Sequence, residues 1–123
     1  MKVTEIAFIC YPVTDLKRAR RFYEEVLGLK QSRMFGAEEQ GFVEYDIGPC
    51  TLAITNYSAS DWKPSSGGGS VGLEVEDYDA AIQQLKKSGC LFRVEPMETP
   101  VCHMAVVSDP DGNSVTIHRR KSG

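Results

Sequence analysis

The sequence predicts an α+β fold made of two tandem βαβββ modules. The same order of strand-like and helix-like segments occurs twice, a short signature recurs at a constant offset, and a glycine- and serine-rich segment separates the two copies. A chain of 123 residues has the size of one domain. We therefore expect a single domain over residues 1–123, with module one at 1–62 and module two at 63–123.

Module one begins with an apolar, β-prone run at 3–10, which predicts the first strand. After Pro12 the apolar residues recur at helical spacing, with Thr14 or Asp15 as the N-cap and Gly28 just past the end. Three more strands are predicted at 30–35, 42–47 and 50–57, separated by glycine and proline.

Module two repeats this order after a connection at 63–69, KPSSGGG, which we expect to be flexible. A strand is predicted at 70–75, a helix at 77–88 with Gly89 as its stop, and strands at 91–94, 102–107 and 114–119. The turn chemistry of DPDGN, residues 109–113, predicts the tip of a β-hairpin between the last two strands.

The two modules share the signature V-x-D-(L/Y)-x-x-A, and matching positions lie 62 residues apart. The matched residues are Val13, Asp15, Leu16 and Ala19 in module one, and Val75, Asp77, Tyr78 and Ala81 in module two. A repeated unit that cannot cover its own sheet face needs its twin, or a second chain, to do so.

Composition excludes several classes of protein. A net charge of -3 and a pI near 5.4 do not indicate a basic surface that would bind a phosphate backbone, so we expect no nucleic-acid partner. No apolar run is long enough to span a bilayer and the N-terminus does not resemble a signal peptide, so we expect no membrane partner and a cytoplasmic location. Four scattered cysteines without a C-x-x-C pair favour reduced thiols.

The segments VTDLKRARRFYEEVLGL, LEVEDYDAAIQQLKKSG and DPDGN resemble the vicinal oxygen chelate superfamily, which includes glyoxalase I, extradiol dioxygenases, and fosfomycin and bleomycin resistance proteins. The resemblance implies two βαβββ modules with curled mixed sheets that form a cleft, and a homodimer. In enzymes of the superfamily, metal ligands come from the first strand of each module and the last strand of one or both.

Carried over residue by residue, the family's ligand positions fall on Phe8 and Ser70 in the first strands and on Ala53 and Thr116 in the last strands. Two of these side chains have no donor atom, and a neutral hydroxyl is a poor ligand beside imidazole and carboxylate. We therefore predict neither a metal site nor any other cofactor.

Strand alternation predicts which side chains share the cleft with those positions. Cys10 lies beside Phe8, His118 beside Thr116, and Glu44 shares a face with Asp46. The predicted ligand-binding residues are Phe8, Cys10, Glu44, Ala53, Trp62, Ser70, Cys102, Met104, Val106, Thr116 and His118. Trp62 has two possible roles. Its ring stacks on a planar ligand, or it only covers an apolar edge of the sheet or a dimer contact.

The mainly apolar lining favours metal-independent binding of a small apolar or aromatic molecule, as in the bleomycin-resistance branch. The alternative is an enzyme of the superfamily. It is either a metal-free isomerase or lyase using Glu44, His118 or a thiol such as Cys102, or a metal-dependent lyase or dioxygenase with rearranged ligands. A third hypothesis is an interaction module whose cleft is closed by Phe8 and Trp62.

Overall fold

The computed structural model describes residues 1–57 and 61–122, and it divides the chain into two compact units, Met1–Pro64 and Ser65–Gly123. Each unit contains a strand, a helix and three further strands, and each holds a four-stranded mixed sheet. The predicted α+β class is therefore confirmed. Among the described residues, no helix is long and apolar enough to cross a membrane.

The elements of the first unit are β1 (Ile9–Pro12), α1 (Leu16–Arg20) with a π-helical turn (Arg21–Val26), β2 (Arg33–Ala37), β3 (Gln40–Ile47) and β4 (Cys50–Thr55). The strand order is β1-β4-β3-β2, with β1 parallel to β4 and the other pairs antiparallel. The Asp15 carboxylate caps α1 by accepting a hydrogen bond of 3.0 Å from the Arg18 N–H, as an N-cap residue should.

The helix of the first unit packs on one face of its sheet through aromatic rings. Tyr23 is fully buried, and its ring stacks on those of Tyr11 and Tyr45 with centroids 6.5 and 6.2 Å apart. The helix widens into the π-helical turn just before it ends, where the Leu27 N–H donates to the Phe22 carbonyl at 3.0 Å.

The first strand is shorter than predicted, because it begins at Ile9 rather than at residue 3. Ile9 pairs with Leu52, and β4 begins at Cys50. Residues 1–6 therefore have no neighbouring strand in this sheet, and β-propensity without a partner does not make a strand. Residues 1–8 are exposed.

The second unit consists of β5 (Val71–Glu74), α2 (Tyr78–Ser88), β6 (Phe92–Glu98), β7 (Cys102–Ser108) and β8 (Ser114–Arg120), in the strand order β5-β8-β7-β6. Asp77 caps α2, and Gly89 ends it with a left-handed φ of 77°. The prediction for β6 was too short. As an edge strand it continues past Pro96, with register shifts between Phe92 and Met97.

The DPDGN segment forms the predicted turn between β7 and β8. Asp109 is 4% exposed, and its Oδ1 accepts from the N–H groups of Asp111 and Asn113, both at 2.9 Å. The connection at 63–69 was expected to be flexible, but two of its residues are hydrogen-bonded to this turn. The Ser65 N–H donates to Asn113 Oδ1 at 3.2 Å, and Ser114 Oγ donates to the Ser66 carbonyl at 3.1 Å.

Candidate functional site

Each sheet has one face covered by its own helix and one face turned away from it. We call the uncovered faces the first open face, in Met1–Pro64, and the second open face, in Ser65–Gly123. Strand pairing shows which positions of the two faces correspond. Cys10 on β1 pairs with Ala53 on β4, and Gly72 on β5 pairs with Thr116 on β8. Ala53 is therefore the counterpart of Thr116, as predicted, although the two lie 63 residues apart.

The family's ligand positions lie in different surroundings in the two units. In the second unit, Ser70 Oγ and Thr116 Oγ1 are 2.7 Å apart, so these two positions meet across neighbouring strands. In the first unit, Ala53 is fully buried and Phe8 precedes β1. Ala53 therefore has no exposed surface of its own, and its place in a ligand site stays a prediction.

These residues do not fit a divalent metal. A hydrogen-bonded hydroxyl pair, a methyl group and a phenyl ring do not supply the three or four strong donors that such an ion needs. Within residues 1–57 and 61–122, no group of three or more histidine, cysteine, aspartate and glutamate side chains is placed to hold an ion.

The first open face carries an ion-pair cluster around Arg33, which the sequence analysis missed. Arg33 Nε donates to Glu44 Oε1, while its two terminal nitrogens donate to Asp46 at 2.5 and 3.1 Å. Thr51 Oγ1 donates to Asp46 Oδ1 at 2.8 Å. The hydrogen bonds from Arg33 and then from Thr51 lower the pKa of Asp46. The hydrogen bonds that Arg33 donates to Asp46, and then to Glu44, raise the pKa of its guanidinium.

This cluster changes the role expected for Glu44. Its side chain is only 16% exposed and lies on the predicted face, but its charge is already paired with Arg33. The cross-strand pairing of Arg33 with Glu44 places the guanidinium there. The sequence did contain a signal for this ion pair, because opposite charges lie on two strands that were predicted to be neighbours. The register of the two strands, which decides whether the charges meet, was not known from the sequence.

Cys10 lies beside this cluster and is unsuited to act as a nucleophile. Burial, and then the nearby charge of Glu44, raise the pKa of its thiol to about 11. At neutral pH Cys10 is therefore a neutral, half-buried thiol.

Three aromatic rings lie together on the first open face, and two of them were also missed. The ring of Phe42 lies 6.1 Å from that of Phe8 in an edge-on arrangement and 6.3 Å from that of Phe35. Phe8 and Phe35 are 51% and 54% exposed. We call Phe8, Phe35 and Phe42 the aromatic trio; it is an accessible apolar surface beside the ion-pair cluster.

The second open face has an apolar region at the positions that correspond to the Phe35–Phe42 and Arg33–Glu44 pairs of the first open face. Met104 on β7 pairs with Met97 on β6, in the same way that Phe42 on β3 pairs with Phe35 on β2. Val106 on β7 pairs with Val94 on β6. Met97 and Val94 are exposed, whereas Met104 and Val106 are partly buried. The predicted lining residues Met104 and Val106 therefore lie on this face next to Thr116 and His118.

A carboxylate and an imidazole form the main polar feature of this face. His118 Nδ1 is 2.5 Å from Glu74 Oε1, and the Arg120 N–H donates to Glu74 Oε2 at 2.7 Å. The backbone N–H of Arg120 and then His118 lower the pKa of Glu74. Glu74 was missed, although alternation from Ser70 through Gly72 reaches it on the predicted strand.

Cys102 and His118, two of the alternative candidates of the enzyme hypothesis, are not strand partners in the second unit. Cys102 is buried at the start of β7, and its Sγ is 3.2 Å from Thr99 Oγ1. Met104, not Cys102, is the strand partner of His118, whose Nδ1 is taken by Glu74. His103 lies on the helix-covered face, with its ring 5.3 Å from that of Tyr78.

Two further features lie outside these clusters. Trp62 is 40% exposed, so its ring is accessible, and its role in stacking remains a prediction. A shallow pocket of about 230 Å³ on the helix side of the first unit is lined only by charged residues. Lys17, Arg20, Arg21, Glu24, Glu25 and Glu38 line it. A lining of three basic and three acidic side chains does not suit an apolar ligand.

Fold and sequence together identify the family. The model of the Glyoxalase/Bleomycin resistance protein/Dioxygenase superfamily matches residues 5–117, and the chain belongs to this superfamily. Its curated relatives include lactoylglutathione lyases. That of Neisseria meningitidis serogroup A is 28% identical over 120 residues, covering 90% of this chain and 87% of the relative. That of Haemophilus influenzae is 27% identical over 119 residues, covering 89% and 88%.

Solved structures show the same fold. An antibiotic binding protein from Streptomyces superposes with a TM-score of 0.81 at 22% identity, covering 98% of this chain and 99% of that protein. The trypanothione-dependent glyoxalase I of Leishmania major gives a TM-score of 0.75 at 27% identity, covering 95% and 87%.

Proposed function

We propose that this protein binds a small, largely apolar or aromatic molecule on its open sheet faces without a metal ion. The observation that carries the proposal is the aromatic trio, with two rings about half exposed on a sheet face that their own helix does not cover. Exposed aromatic rings beside a few fixed polar groups are typical of sites for small organic ligands. The antibiotic binding protein from Streptomyces, which shares the fold, is consistent with this function.

The residues at the family's ligand positions support the metal-independent form of the proposal. None of the four offers an imidazole or a carboxylate, and the nearby carboxylates Glu44 and Glu74 are held by Arg33 and His118. Binding by stacking and apolar contact needs no such donor. We also propose that the protein acts as a homodimer, as the superfamily resemblance implies.

Native mass spectrometry of protein purified without chelators tests the metal-independent part. We expect a metal-free dimer, with or without an organic adduct. A stoichiometric divalent metal ion that survives desalting would contradict the proposal, because the ligand positions would then have been assigned to the wrong residues.

Binding of a neutral aromatic probe, 2-methoxynaphthalene, tests the role of the aromatic trio. Replacing Phe35 by alanine removes a ring that is 54% exposed, and we expect an affinity loss of about tenfold by fluorescence titration. Leu91→Ala is the matched control, because Leu91 is 57% exposed but precedes β6. Equal loss in both variants would contradict the proposed site.

An enzyme is the second candidate, favoured by the curated lactoylglutathione lyases that are 27–28% identical to this chain. An assay for lactoylglutathione formation, with and without added divalent metal, tests it. Turnover abolished by His118→Asn but not by Cys102→Ala would favour a reaction on the second open face. Under the proposed function we expect no turnover in either condition.

A further inference from the structure

The second open face has a gap at Gly72, between two polar pairs. Gly72 lies on β5 between Ser70 and Glu74, whose side chains point to the same face, and it pairs with Thr116 on β8. A Cβ atom built on Gly72 meets no heavy atom within 4 Å. The strand therefore has open space at a position where every neighbour on the same face carries a side chain.

The two sides of this gap are held by hydrogen bonds. On one side the Ser70 and Thr116 hydroxyls are 2.7 Å apart, and on the other His118 Nδ1 and Glu74 Oε1 are 2.5 Å apart. The His118 side chain is 29% exposed and that of Glu74 is 41% exposed. Both pairs are thus fixed by their partners and remain accessible from solvent.

The contacts of Glu74 determine which hydrogen bond His118 can offer. Its second oxygen accepts from the Arg120 N–H at 2.7 Å, so both carboxylate oxygens act as acceptors. An ionised carboxylate only accepts hydrogen bonds, and therefore His118 Nδ1 carries the proton. In the neutral ring, Nε2 then has a free lone pair and accepts a hydrogen bond from an O–H group.

Apolar side chains lie next to these polar pairs. Val106 is the strand partner of Thr116, and Met104 is the strand partner of His118, so both continue the same face toward β6. A flat apolar ring lying on β7 would contact this valine and this methionine, and its end would extend across β8 towards Gly72. Sulfur also makes favourable contacts with aromatic rings.

We propose that the Gly72 gap binds the hydroxyl end of a hydroxylated aromatic molecule, with the O–H donating to His118 Nε2 and the ring lying on Met104 and Val106. This inference rests on the proposed function and narrows its ligand to phenol-like compounds. Glu74 is the positioning residue, because it fixes the tautomer and the orientation of His118. Gly72 is the residue that admits the hydroxyl end, because any larger side chain would fill the gap.

Two probes that differ in one group test this inference: 2-naphthol, which has an O–H donor, and 2-methoxynaphthalene, which has none. We expect the unmodified protein to bind 2-naphthol at least tenfold more tightly than 2-methoxynaphthalene, measured at pH 8 where 2-naphthol keeps its O–H proton. The same titration, followed by ¹⁵N NMR of the histidine ring, should move the Nε2 resonance of His118 with 2-naphthol only.

Gly72→Val is the decisive variant, since valine suits a strand and its Cβ meets nothing within 4 Å. We expect it to keep the melting temperature and to lose the preference for 2-naphthol. Gly68→Val is the matched control in the connection, where a Cβ makes only an ordinary contact at 3.8 Å. Gly72→Ala adds a smaller side chain to the same gap, and it replaces the valine variant if that variant does not fold.

The outcomes separate this inference from the proposed function. Equal binding of both probes to the unmodified protein, or unchanged binding of 2-naphthol to Gly72→Val, would overturn the Gly72 site but leave aromatic binding in place. If neither probe bound, both the inference and the proposed function would be wrong. Loss of the preference in Gly72→Val and its retention in Gly68→Val would support the inference.

Discussion

Tyr45 links the core of the first unit to the polar end of its helix. Its ring is fully buried against Tyr23, while its hydroxyl donates to Glu24 Oε2 at 2.9 Å. Burial and then the hydrogen bond to Glu24 raise the pKa of the Tyr45 hydroxyl. Glu24 in turn accepts from Arg20 Nε at 2.8 Å. A single buried phenol thus holds the π-helical turn against the sheet.

Tyr45→Phe removes this hydrogen bond while keeping the ring. We expect the free energy of unfolding to fall by about 1 kcal/mol, since Glu24 keeps its contact with Arg20. Tyr57→Phe is the control, because Tyr57 is 45% exposed. Urea denaturation measures both variants, and an equal effect in the two would show that the bond to Glu24 contributes nothing.

Cys10 provides a test of pH dependence at the residue scale. A pKa of about 11 means that the folded protein keeps the thiol proton at pH values where an unfolded chain begins to lose it. Only the thiolate reacts with iodoacetamide, so at pH 8 we expect Cys10 to react about a hundredfold more slowly than an ordinary thiol.

Mass spectrometry of alkylated peptides would measure this rate, with the exposed Cys50 as internal reference. The rate at Cys10 should rise about tenfold per pH unit between pH 8 and 10, because its thiolate fraction does so. A rate at Cys10 that levels off near pH 9 would contradict the raised pKa.

At the scale of the element, strands and helices were predicted well where local chemistry defines them. Short-range signals define the helix ends: Asp15 is the N-cap of the two residues proposed, Gly89 is the predicted stop, and Asp77 caps α2 instead of lying inside it. The predicted start of β1 at residue 3 was wrong because a strand needs a neighbouring strand. The pairing of β1 with β4 begins only at Ile9. Long-range pairing does not follow from local periodicity.

The DPDGN turn is held together by the side chain of Asp109. The buried carboxylate of Asp109 accepts from two backbone N–H groups and from the Asn113 side chain at 2.9 Å. We expect Asp109→Ala to lower the free energy of unfolding by about 2–4 kcal/mol, because these donors lose a charged acceptor. Thermal or urea denaturation would measure this loss.

Pro110→Ala is the control for this turn, because Pro110 is exposed beside Asp109. Its effect should stay below about 1 kcal/mol, as expected for the entropy of a single proline. If the two variants were equally stable, the turn would not depend on the carboxylate.

At the scale of the whole molecule, the candidate site was harder to predict than the fold. Alternation along single strands placed Phe8, Met104 and His118, but the partners of these residues come from neighbouring strands. Arg33 reaches Glu44, and Glu74 reaches His118, only through the sheet register. Register depends on strand pairing over the entire unit, and so the polar partners could not be predicted from one segment.

The proposed homodimer gives a prediction at the same scale. Val3, Ile6 and Phe8 are 79%, 65% and 51% exposed at the N-terminus, and isolated chains rarely leave such neighbouring apolar side chains in water. We expect a dimer at micromolar concentration by light scattering. Deletion of residues 1–6, which lie outside the sheet, should weaken it. A monomer over the whole concentration range would contradict the homodimer.

The π-helical turn also reveals how the two halves of the chain differ in length. Leu16 and Tyr78 occupy the same place in the repeated signature, yet Gly28 follows Leu16 by 12 residues and Gly89 follows Tyr78 by 11. The wide turn accommodates the additional residue without moving the rest of the helix. It therefore marks a one-residue insertion in the first half, or a deletion in the second.

The irregular edge strand β6 compensates for this change. Arg33 and Val94 are equivalent by their pairing and lie 61 positions apart, whereas Phe35 and Met97 lie 62 apart. The register shift after Val94 thus restores the spacing that the helix had altered. A gap opened in one helix and closed in one edge strand aligns the two halves as far as β3 and β7. The DPDGN turn is one residue longer than its counterpart in the first half, and it sets Ala53 and Thr116 63 positions apart.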